Sequence, residues 1–146
     1  MFPENKKMDS MASNKKVITV GVFDFFHIGH LNLLESAKCL GDTLIVAVHD
    51  DIFKSKGIEF LYSLEDRIRI ISSLRCVDTV IPYERVDLLI ERIDFDIFAH
   101  GPDQNHQYFQ KAFNWCHNHC KSVIELPRTE GISSTIIREI LKKKNV

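Results

Sequence analysis

The sequence predicts an α/β fold: a single Rossmann-like domain with a five-stranded, mostly parallel sheet and helices on both faces. Three observations lead to this prediction. Short apolar runs alternate with helical patterns along the chain, and several runs are continuous, as in strands buried on both faces. The length of 146 residues, with 45% hydrophobic and 27% charged side chains, suits one domain with a sizeable core.

The predicted strands are short and rich in β-branched residues. The first, "KVITVGVF", suits a buried parallel strand. The others are "DTLIVAVHD", "DTVIPY", "FDIFAHG" and "KSVIELP". The five strands cover 16–23, 42–50, 78–83, 95–101 and 121–127.

Each strand is followed by a helical pattern. The pattern in "SLEDRIRIISSLRCV" begins at Ser63, and Asp66 three residues later completes a start that resembles a capping box. Apolar residues then recur at helical spacing. The five predicted helices cover 30–41, 63–77, 85–93, 107–119 and 133–144.

The remaining features concern organisation and compartment. Residues 1–15 are polar and lack periodicity, which predicts a flexible N-terminal tail before a single folded domain over 16–146. The net charge of −1 provides no broad basic field, so we expect no nucleic-acid partner and no stable membrane anchor. Because no signal peptide or long apolar span is present, we expect a reducing, cytoplasmic location.

Two cysteines and two histidines lie together in "NWCHNHCK". Cys116 and Cys120, with His117 and His119, suggest zinc, but no second ligand pair accompanies them. One face of a helix carrying unligated thiols is therefore the favoured interpretation, and we predict no protein-bound metal there.

Titratable side chains cluster where predicted strands end. In parallel sheets, ligands bind beyond the carboxyl ends of the strands, where the connection order reverses. These residues are His27 and His30 after the first strand, Lys54 and Lys56 after the second, His100 and Asp103 after the fourth, and 128–134 after the fifth.

Residues 27–30 open a helix. A helix N-terminus attracts anions, and Gly29 would let a phosphate approach the backbone. A pair of histidines that only caps the helix explains the pattern about equally well. Arg128 and the hydroxyls of Ser133 and Ser134 could likewise hold a polyphosphate or simply cap the last helix.

Two segments carry a family resemblance. "GVFDFFHIGH" resembles the pattern G-x-F-D-x-x-H-x-G-H, and "RTEGISST" resembles R-T-x-G-I-S-T-T, with Ser134 in place of a threonine. These are signatures of the cytidylyltransferases of the HIGH-motif nucleotidylyltransferase superfamily. "SKG" and "EDRIRIISSLRCVDTVIP" resemble its lysine loop and a further arginine-containing segment, so the similarity covers about 16–141.

The resemblance implies transfer of CMP from CTP to a phosphorylated alcohol, with Mg²⁺ accompanying the CTP. The implied catalytic residues are His27, His30, Lys56 and Arg128. The implied nucleotide-binding residues are Val22, Phe23, Gly29, Arg75, His100, Asp103, Thr129, Gly131, Ile132, Ser133 and Ser134. The implied acceptor-binding residues are Asp24, Lys54 and Arg67.

The sequence determines the acceptor less well than it determines the nucleotide. The short "DIFKSKGIEF" loop looks like the ethanolamine- or choline-phosphate enzymes, whereas "LPRTEGIS" looks like the glycerol-phosphate type, which we favour. "AHGPDQNHQYF" lacks the paired aspartates and tryptophan of the glycerol-phosphate enzymes. An adenylyltransferase acting on a sugar phosphate or FMN, and a non-catalytic nucleotide-binding module, are the alternatives. "SLRCVDTVIP" resembles a dimer contact, which implies a homodimer.

Overall fold

A computed structural model describes residues 14–50 and 60–144. The strands are β1 (Lys16–Gly21), β2 (Thr43–His49), β3 (Thr79–Tyr83), β4 (Ile97–His100) and β5 (Ser122–Glu125). The helices are α1 (Ile28–Lys38), α2 (Leu64–Ser72), α3 (Val86–Arg92), α4 (Gln107–Asn118) and α5 (Ser134–Lys144). All ten elements coincide with predicted ones, apart from a few residues at their ends.

The five strands form one sheet in the order β3-β2-β1-β4-β5, and every neighbouring pair is parallel. The chain moves outward from β1 through β2 to β3, then returns to the other side of β1 for β4 and β5. The direction of progression therefore reverses between β1 and β4, which opens a crevice at their carboxyl ends. The predicted fold class is confirmed.

Two apolar cores lie on the two faces of this sheet. One contains Ile18 and Val20 of β1 with Leu89 of α3 and Phe109 of α4. The other contains Val17 of β1 together with buried residues of α1 and α2. Successive β1 side chains enter opposite cores, as the period of a strand requires. Both faces are thus covered by helices, as the continuous apolar runs predicted.

The end of β1 differs from the prediction, which placed it at Phe23. The strand ends at Gly21 because Phe23 has a φ of 58° and its side chain is buried. This turn brings the Phe23 ring close to Gly21 and directs the chain into the loop that precedes α1. At α2, the predicted cap is confirmed: Ser63 Oγ accepts a hydrogen bond from the Asp66 N–H at 3.1 Å.

Some predictions fall on residues outside the described ranges. Most of the predicted tail lies in 1–13, and the loop carrying Lys54 and Lys56 lies in 51–59. None of the helices in the described ranges is both long and apolar enough to cross a membrane.

Two members of the cysteine and histidine cluster at the end of α4 make other contacts. Cys116 is fully buried in the core, and burial raises the pKa of its thiol to about 11. His119 stacks on Trp115 with ring centroids 4.0 Å apart. Among residues 14–50 and 60–144, no group of three or more histidine, cysteine or carboxylate side chains is placed to hold a metal.

Candidate active site

A pocket of about 220 Å³ opens at the carboxyl edge of the sheet, at the crevice between β1 and β4. Its walls come from the start of α1, the loop after β4 and the segment between β5 and α5. Nine of the residues singled out from the sequence line it: His27, Gly29, His30, Asp103, Arg128, Thr129, Ile132, Ser133 and Ser134. The fold therefore brings together three segments that are far apart in the sequence.

The two histidines cap α1. His27 Nδ1 accepts a hydrogen bond from the Gly29 N–H at 3.0 Å, and His30 Nδ1 accepts one from the His27 N–H at 3.2 Å. The two rings stack with their centroids 3.8 Å apart. Each ring satisfies a backbone donor that the helix N-terminus leaves without an intrahelical partner.

This capping determines the tautomer of each ring. A backbone N–H can only donate, so both Nδ1 atoms are acceptors and the proton of each neutral ring resides on Nε2. Burial lowers the pKa of His27, and burial together with the neighbouring His27 lowers the pKa of His30 to about 4. At neutral pH the pocket therefore contains two neutral imidazoles whose remaining nitrogens are N–H donors.

Gly29 leaves room for the His27 ring, whereas the sequence predicted that it leaves room for a phosphate. A Cβ at this position would lie 2.9 Å from Cε1 and 3.0 Å from Nδ1 of His27. The missing side chain makes room for the capping imidazole in this structure. Any larger residue would displace the ring that provides the cap.

The segment after β5 contributes hydroxyl groups. Ser133 Oγ accepts the Ile136 N–H at 3.1 Å, and Thr129 Oγ1 accepts the Asn32 amide at 3.1 Å. A hydroxyl that accepts a bond keeps its own proton for donation. Ser134 differs, because its hydroxyl donates to the backbone oxygen of Asp24 at 2.7 Å.

Arg128 and Asp103 pair across the pocket mouth. Arg128 Nη1 lies 2.9 Å from Asp103 Oδ2, and both side chains are more than half exposed, at 53% and 71%. Exposed pairs of this kind contribute about 0–1 kcal/mol. An anionic ligand can therefore replace the Asp103 carboxylate at the Arg128 guanidinium at little cost.

Two predicted acceptor-binding residues are buried beside the pocket, and neither lines it. Arg67 is fully buried and donates to the backbone oxygens of Tyr62, Val22 and His49 at 2.9–3.1 Å. The Asp24 side chain is 2% exposed and pairs with Arg138. In this structure both side chains hold loops together, which differs from the direct substrate contact that the resemblance implied.

Five predicted nucleotide-binding residues also lie outside the pocket lining. His100 is buried with its ring 4.5 Å from that of Phe113, packed toward α4. Arg75 is exposed in the turn before β3. This turn lies at the amino edge of the sheet, so Arg75 cannot reach the pocket of its own chain. The other three are Val22, Phe23 and Gly131. Gly131 has a φ of 82° in the turn that leads into α5, a conformation that favours glycine.

Gln104 is a pocket residue that sequence reasoning missed. Its Nε2 donates to the Val20 oxygen at 2.8 Å, and its Oε1 accepts the Gly101 N–H at 3.0 Å. The side chain thereby fastens the loop after β4 to the end of β1. Nothing in the local sequence distinguishes Gln104 from an exposed glutamine, because its partner Val20 lies 84 residues away.

The pocket is well suited to an anion. Hydrogen-bond donors on its walls come from two imidazoles, two hydroxyls and the Arg128 guanidinium, and the N-termini of α1 and α5 both lie at its edge. Aligned peptide dipoles give each N-terminus a partial positive charge. Donors arranged around a space of this size fit a chain of phosphates.

Comparisons with known proteins agree with this chemistry. The model of the cytidylyltransferase-like family matches residues 18–140. The chain belongs to this family. Glycerol-3-phosphate cytidylyltransferase from Bacillus subtilis is 42% identical over 131 residues, which span 86% of this chain and 95% of that protein. The enzyme of the same name from Staphylococcus aureus is 38% identical over 135 residues, which span 90% of this chain and 98% of that protein.

The chain is also similar to proteins with other names. An FAD synthase from Pyrococcus abyssi is 36% identical over 135 residues, covering 88% of this chain and 83% of that protein. Among solved structures, a lipopolysaccharide core biosynthesis protein from Thermoplasma volcanium superposes with a TM-score of 0.67 at 26% identity, covering 79% of this chain and 96% of that one. The fold and the nucleotidyltransferase class predicted from the sequence are confirmed.

Proposed function

We propose that this protein transfers CMP from CTP to glycerol 3-phosphate, giving CDP-glycerol and pyrophosphate. The observation that carries the proposal is the set of donors around the pocket, provided by the two signature segments. The glycerol-3-phosphate cytidylyltransferases that resemble this chain do so over nearly their whole length, which supports the choice of both substrates.

The reaction is a displacement at the α-phosphorus of CTP. A phosphate oxygen of the acceptor attacks, the bond from the α-phosphorus to the bridging oxygen breaks, and pyrophosphate leaves with that electron pair. His27 and His30 donate their Nε2–H groups to the charge that develops on the α-phosphate oxygens. Arg128, Thr129 and Ser133 hold the β- and γ-phosphates.

The protonation state of the histidines fits this role. The acceptor phosphate is already an anionic nucleophile, so the reaction requires no general base. Imidazoles with lowered pKa values, each donating from Nε2, stabilise charge without exchanging protons. Catalysis then depends mainly on positioning and on fixed dipoles, as in other phosphoryl transfers.

Two further parts of the site are proposals from the family resemblance. Lys56, with help from Lys54, bridges the acceptor and nucleotide phosphates, although both residues lie outside the described ranges. The loop after β4 contacts the cytosine through Asp103. Gln104 supports this assignment, since its two hydrogen bonds hold that loop against the end of β1.

Magnesium fits the pocket as a companion of the nucleotide. Mg²⁺ is usually held by substrate phosphates, waters and one or two carboxylates, so a dedicated protein cage is unnecessary. Among the described residues, the pocket lining has donors for the phosphates and a single carboxylate, Asp103, so the phosphates and waters would hold the ion. When bound, the ion neutralises charge on the phosphates and on the departing pyrophosphate.

The test is pyrophosphate release from Mg-CTP with each candidate acceptor. We expect release with glycerol 3-phosphate that exceeds release with phosphoethanolamine or phosphocholine by at least tenfold, and little release when ATP replaces CTP. Turnover of ATP and FMN in preference to these pairs would overturn the proposal in favour of an FAD synthase, the activity named for several relatives. No release with any pair would favour a non-catalytic module.

Oligomeric state and location complete the proposal. The segment "SLRCVDTVIP" includes all of β3 except Tyr83, and β3 is an edge strand of the sheet, which supports a homodimer formed through this segment. Sedimentation velocity should give a dimer that Arg75→Glu weakens, and a monomer at all concentrations would refute this part. The four free cysteines fit the reducing cytoplasm that we propose as its location.

A further inference from the structure

The buried carboxylate of Asp24 joins three separate segments. It accepts the backbone N–H groups of Leu61 and Tyr62 at 2.7 and 3.0 Å, and the Arg138 guanidinium donates to it at 2.7 Å. The backbone oxygen of the same aspartate accepts the Ser134 hydroxyl at 2.7 Å. One residue thus connects the first signature, the chain leading into α2, and the last helix.

Helix α5 depends strongly on these polar contacts for its position. None of its described residues is fully buried, and Ile140 and Leu141 each remain 47% exposed. Arg138 lies in the second turn of the helix, with its Cζ 4.7 Å from the centroid of the Phe25 ring. The ion pair with Asp24 and this cation–π contact attach the helix to the turn that precedes the histidines.

The attachment sets the distance between two walls of the pocket. Asp24 precedes His27 by three residues, and Ser134 directly follows the segment that contains Thr129 and Ser133. A shift of α5 relative to Asp24 would therefore move the hydroxyl donors relative to the imidazoles. Both sets must meet the same triphosphate in the proposed reaction.

We infer that Arg138 is a positioning residue, which fixes the second signature segment against the first by holding the carboxylate of Asp24. The inference rests on the proposed function, because it concerns the alignment of the pocket for a nucleotide. Misplacing donors by about 1 Å costs up to about 100-fold in rate, so loss of Arg138 is expected to act mainly on nucleotide affinity and turnover.

The experiment compares three variants with the parent protein. Arg138→Met keeps the length of the side chain and removes its charge, whereas Arg138→Lys keeps a donor that can reach one carboxylate oxygen. Lys142→Met removes a cation from the exposed surface of the same helix and is the matched control. The measurements are the Kd of Mg-CTP by calorimetry, KM and kcat, and amide hydrogen exchange at Leu61 and Tyr62.

We expect Arg138→Met to weaken Mg-CTP binding by about tenfold or more and to speed exchange at both amides, since the carboxylate loses the group that orients it. Arg138→Lys should restore most of the affinity, and Lys142→Met should behave as the parent does. A purely structural role would lower the unfolding midpoint while leaving the Kd and KM of the folded protein unchanged, and that result would overturn the inference.

Two further outcomes are informative. If Arg138→Met does not fold, Arg138→Gln replaces it, because it retains a neutral donor. In that variant the exchange at Leu61 and Tyr62 and the affinity for Mg-CTP should change together, and faster exchange with parent-like affinity would equally overturn the inference. If the parent binds Mg-CTP but forms no CDP-glycerol, the proposed acceptor fails, while the binding and exchange measurements still decide the role of Arg138.

Discussion

His27 and His30 each use both nitrogens of one ring. In each, Nδ1 accepts a backbone N–H at the start of α1, and Nε2 is left with the proton. Each ring can therefore cap the helix and still donate to a ligand. The capping hydrogen bond to Nδ1 is what leaves the proton on Nε2. Burial lowers the pKa of both rings, and the neighbouring His27 lowers that of His30 further, so the donors stay neutral where an imidazolium would otherwise form.

Replacement of His30 tests the donor role. His30→Ala removes one of the two donors that we propose for the α-phosphate, and losses of this type reduce kcat by about 100-fold or more. His106→Ala is the control, because His106 Nδ1 also accepts a backbone N–H at a helix start, that of Tyr108 at 3.2 Å, but does not line the pocket. Each substitution should cost about 1 kcal/mol of stability as a lost cap. Near-parent turnover in His30→Ala would exclude a catalytic role.

The lowered pKa of His30 makes stability depend on pH. The folded ring titrates near pH 4 and the unfolded ring near its ordinary 6.5, so between these values the unfolded chain binds the extra proton. The free energy of unfolding should therefore fall as the pH drops from 6.5 toward 4, by up to about 1.4 kcal/mol per pH unit from this group. His27 and His49, whose pKa values are also lowered, act in the same direction.

Urea unfolding at pH 7, 6 and 5 measures this slope. His30→Asn cannot take up the proton, so its stability should decline less steeply than that of the parent over the same interval. Equal slopes for the two proteins would show that His30 is not protected from protonation in the folded state.

Among the elements, α2 is the one that organises the loops at the carboxyl edge of the sheet. Its Arg67 is fully buried and donates to three backbone oxygens, one from each of three segments: the loop after β1, the end of β2 and the chain before α2. A guanidinium suits this task because its five donors are held in a fixed plane. The loop after β1, which leads to the capping histidines, is one of the three.

Arg67→Leu should therefore destabilise the protein strongly. It leaves the oxygens of Val22, His49 and Tyr62 buried without this donor, and such losses cost about 1–3 kcal/mol for each group. We expect a decrease of about 3 kcal/mol or more in denaturant unfolding, against less than about 0.5 kcal/mol for the exposed Arg69→Leu in the same helix. If Arg67→Lys instead keeps the stability of the parent but raises the KM for the acceptor, that result would favour the direct substrate contact implied by the resemblance.

The elements themselves were predictable because their signals are local. Ser63 and Asp66 define the start of α2, and the continuous apolar run of β2 is unambiguous. The roles of Arg67, Asp24 and His100 were not predictable in this way. Each depends on which loop a buried side chain meets, and the partners of Asp24 lie 37 to 114 residues away. A signature pattern shows that a residue matters without distinguishing substrate contact from support of the site.

For the molecule as a whole, the parallel order of the sheet makes the pocket possible. The carboxyl ends of β1, β4 and β5 meet at one edge, so donors separated by about a hundred residues face the same space. Arg128 and Asp103 already pair across this space. A nucleotide that replaces this contact links all three segments at once and therefore stabilises the domain as a unit.

This linkage predicts that Mg-CTP stabilises the protein against global unfolding. A ligand that binds only the folded state at 100 times its Kd contributes about 2.7 kcal/mol. Arg128→Met should lose most of that gain at the same nucleotide concentration, since it removes the guanidinium that we propose binds the phosphates. Its own effect on the stability of the free protein should be small, because the pair with Asp103 is exposed.

Arg92→Met is the control for this measurement. Arg92 is an exposed arginine at the end of α3, at the opposite edge of the sheet, so its loss should leave the nucleotide-induced shift unchanged. Unfolding is followed by circular dichroism in urea with and without Mg-CTP. An equal shift in Arg128→Met and in the parent would place the triphosphate elsewhere, because a cation on the wall of its pocket cannot be removed without weakening the attraction between the two.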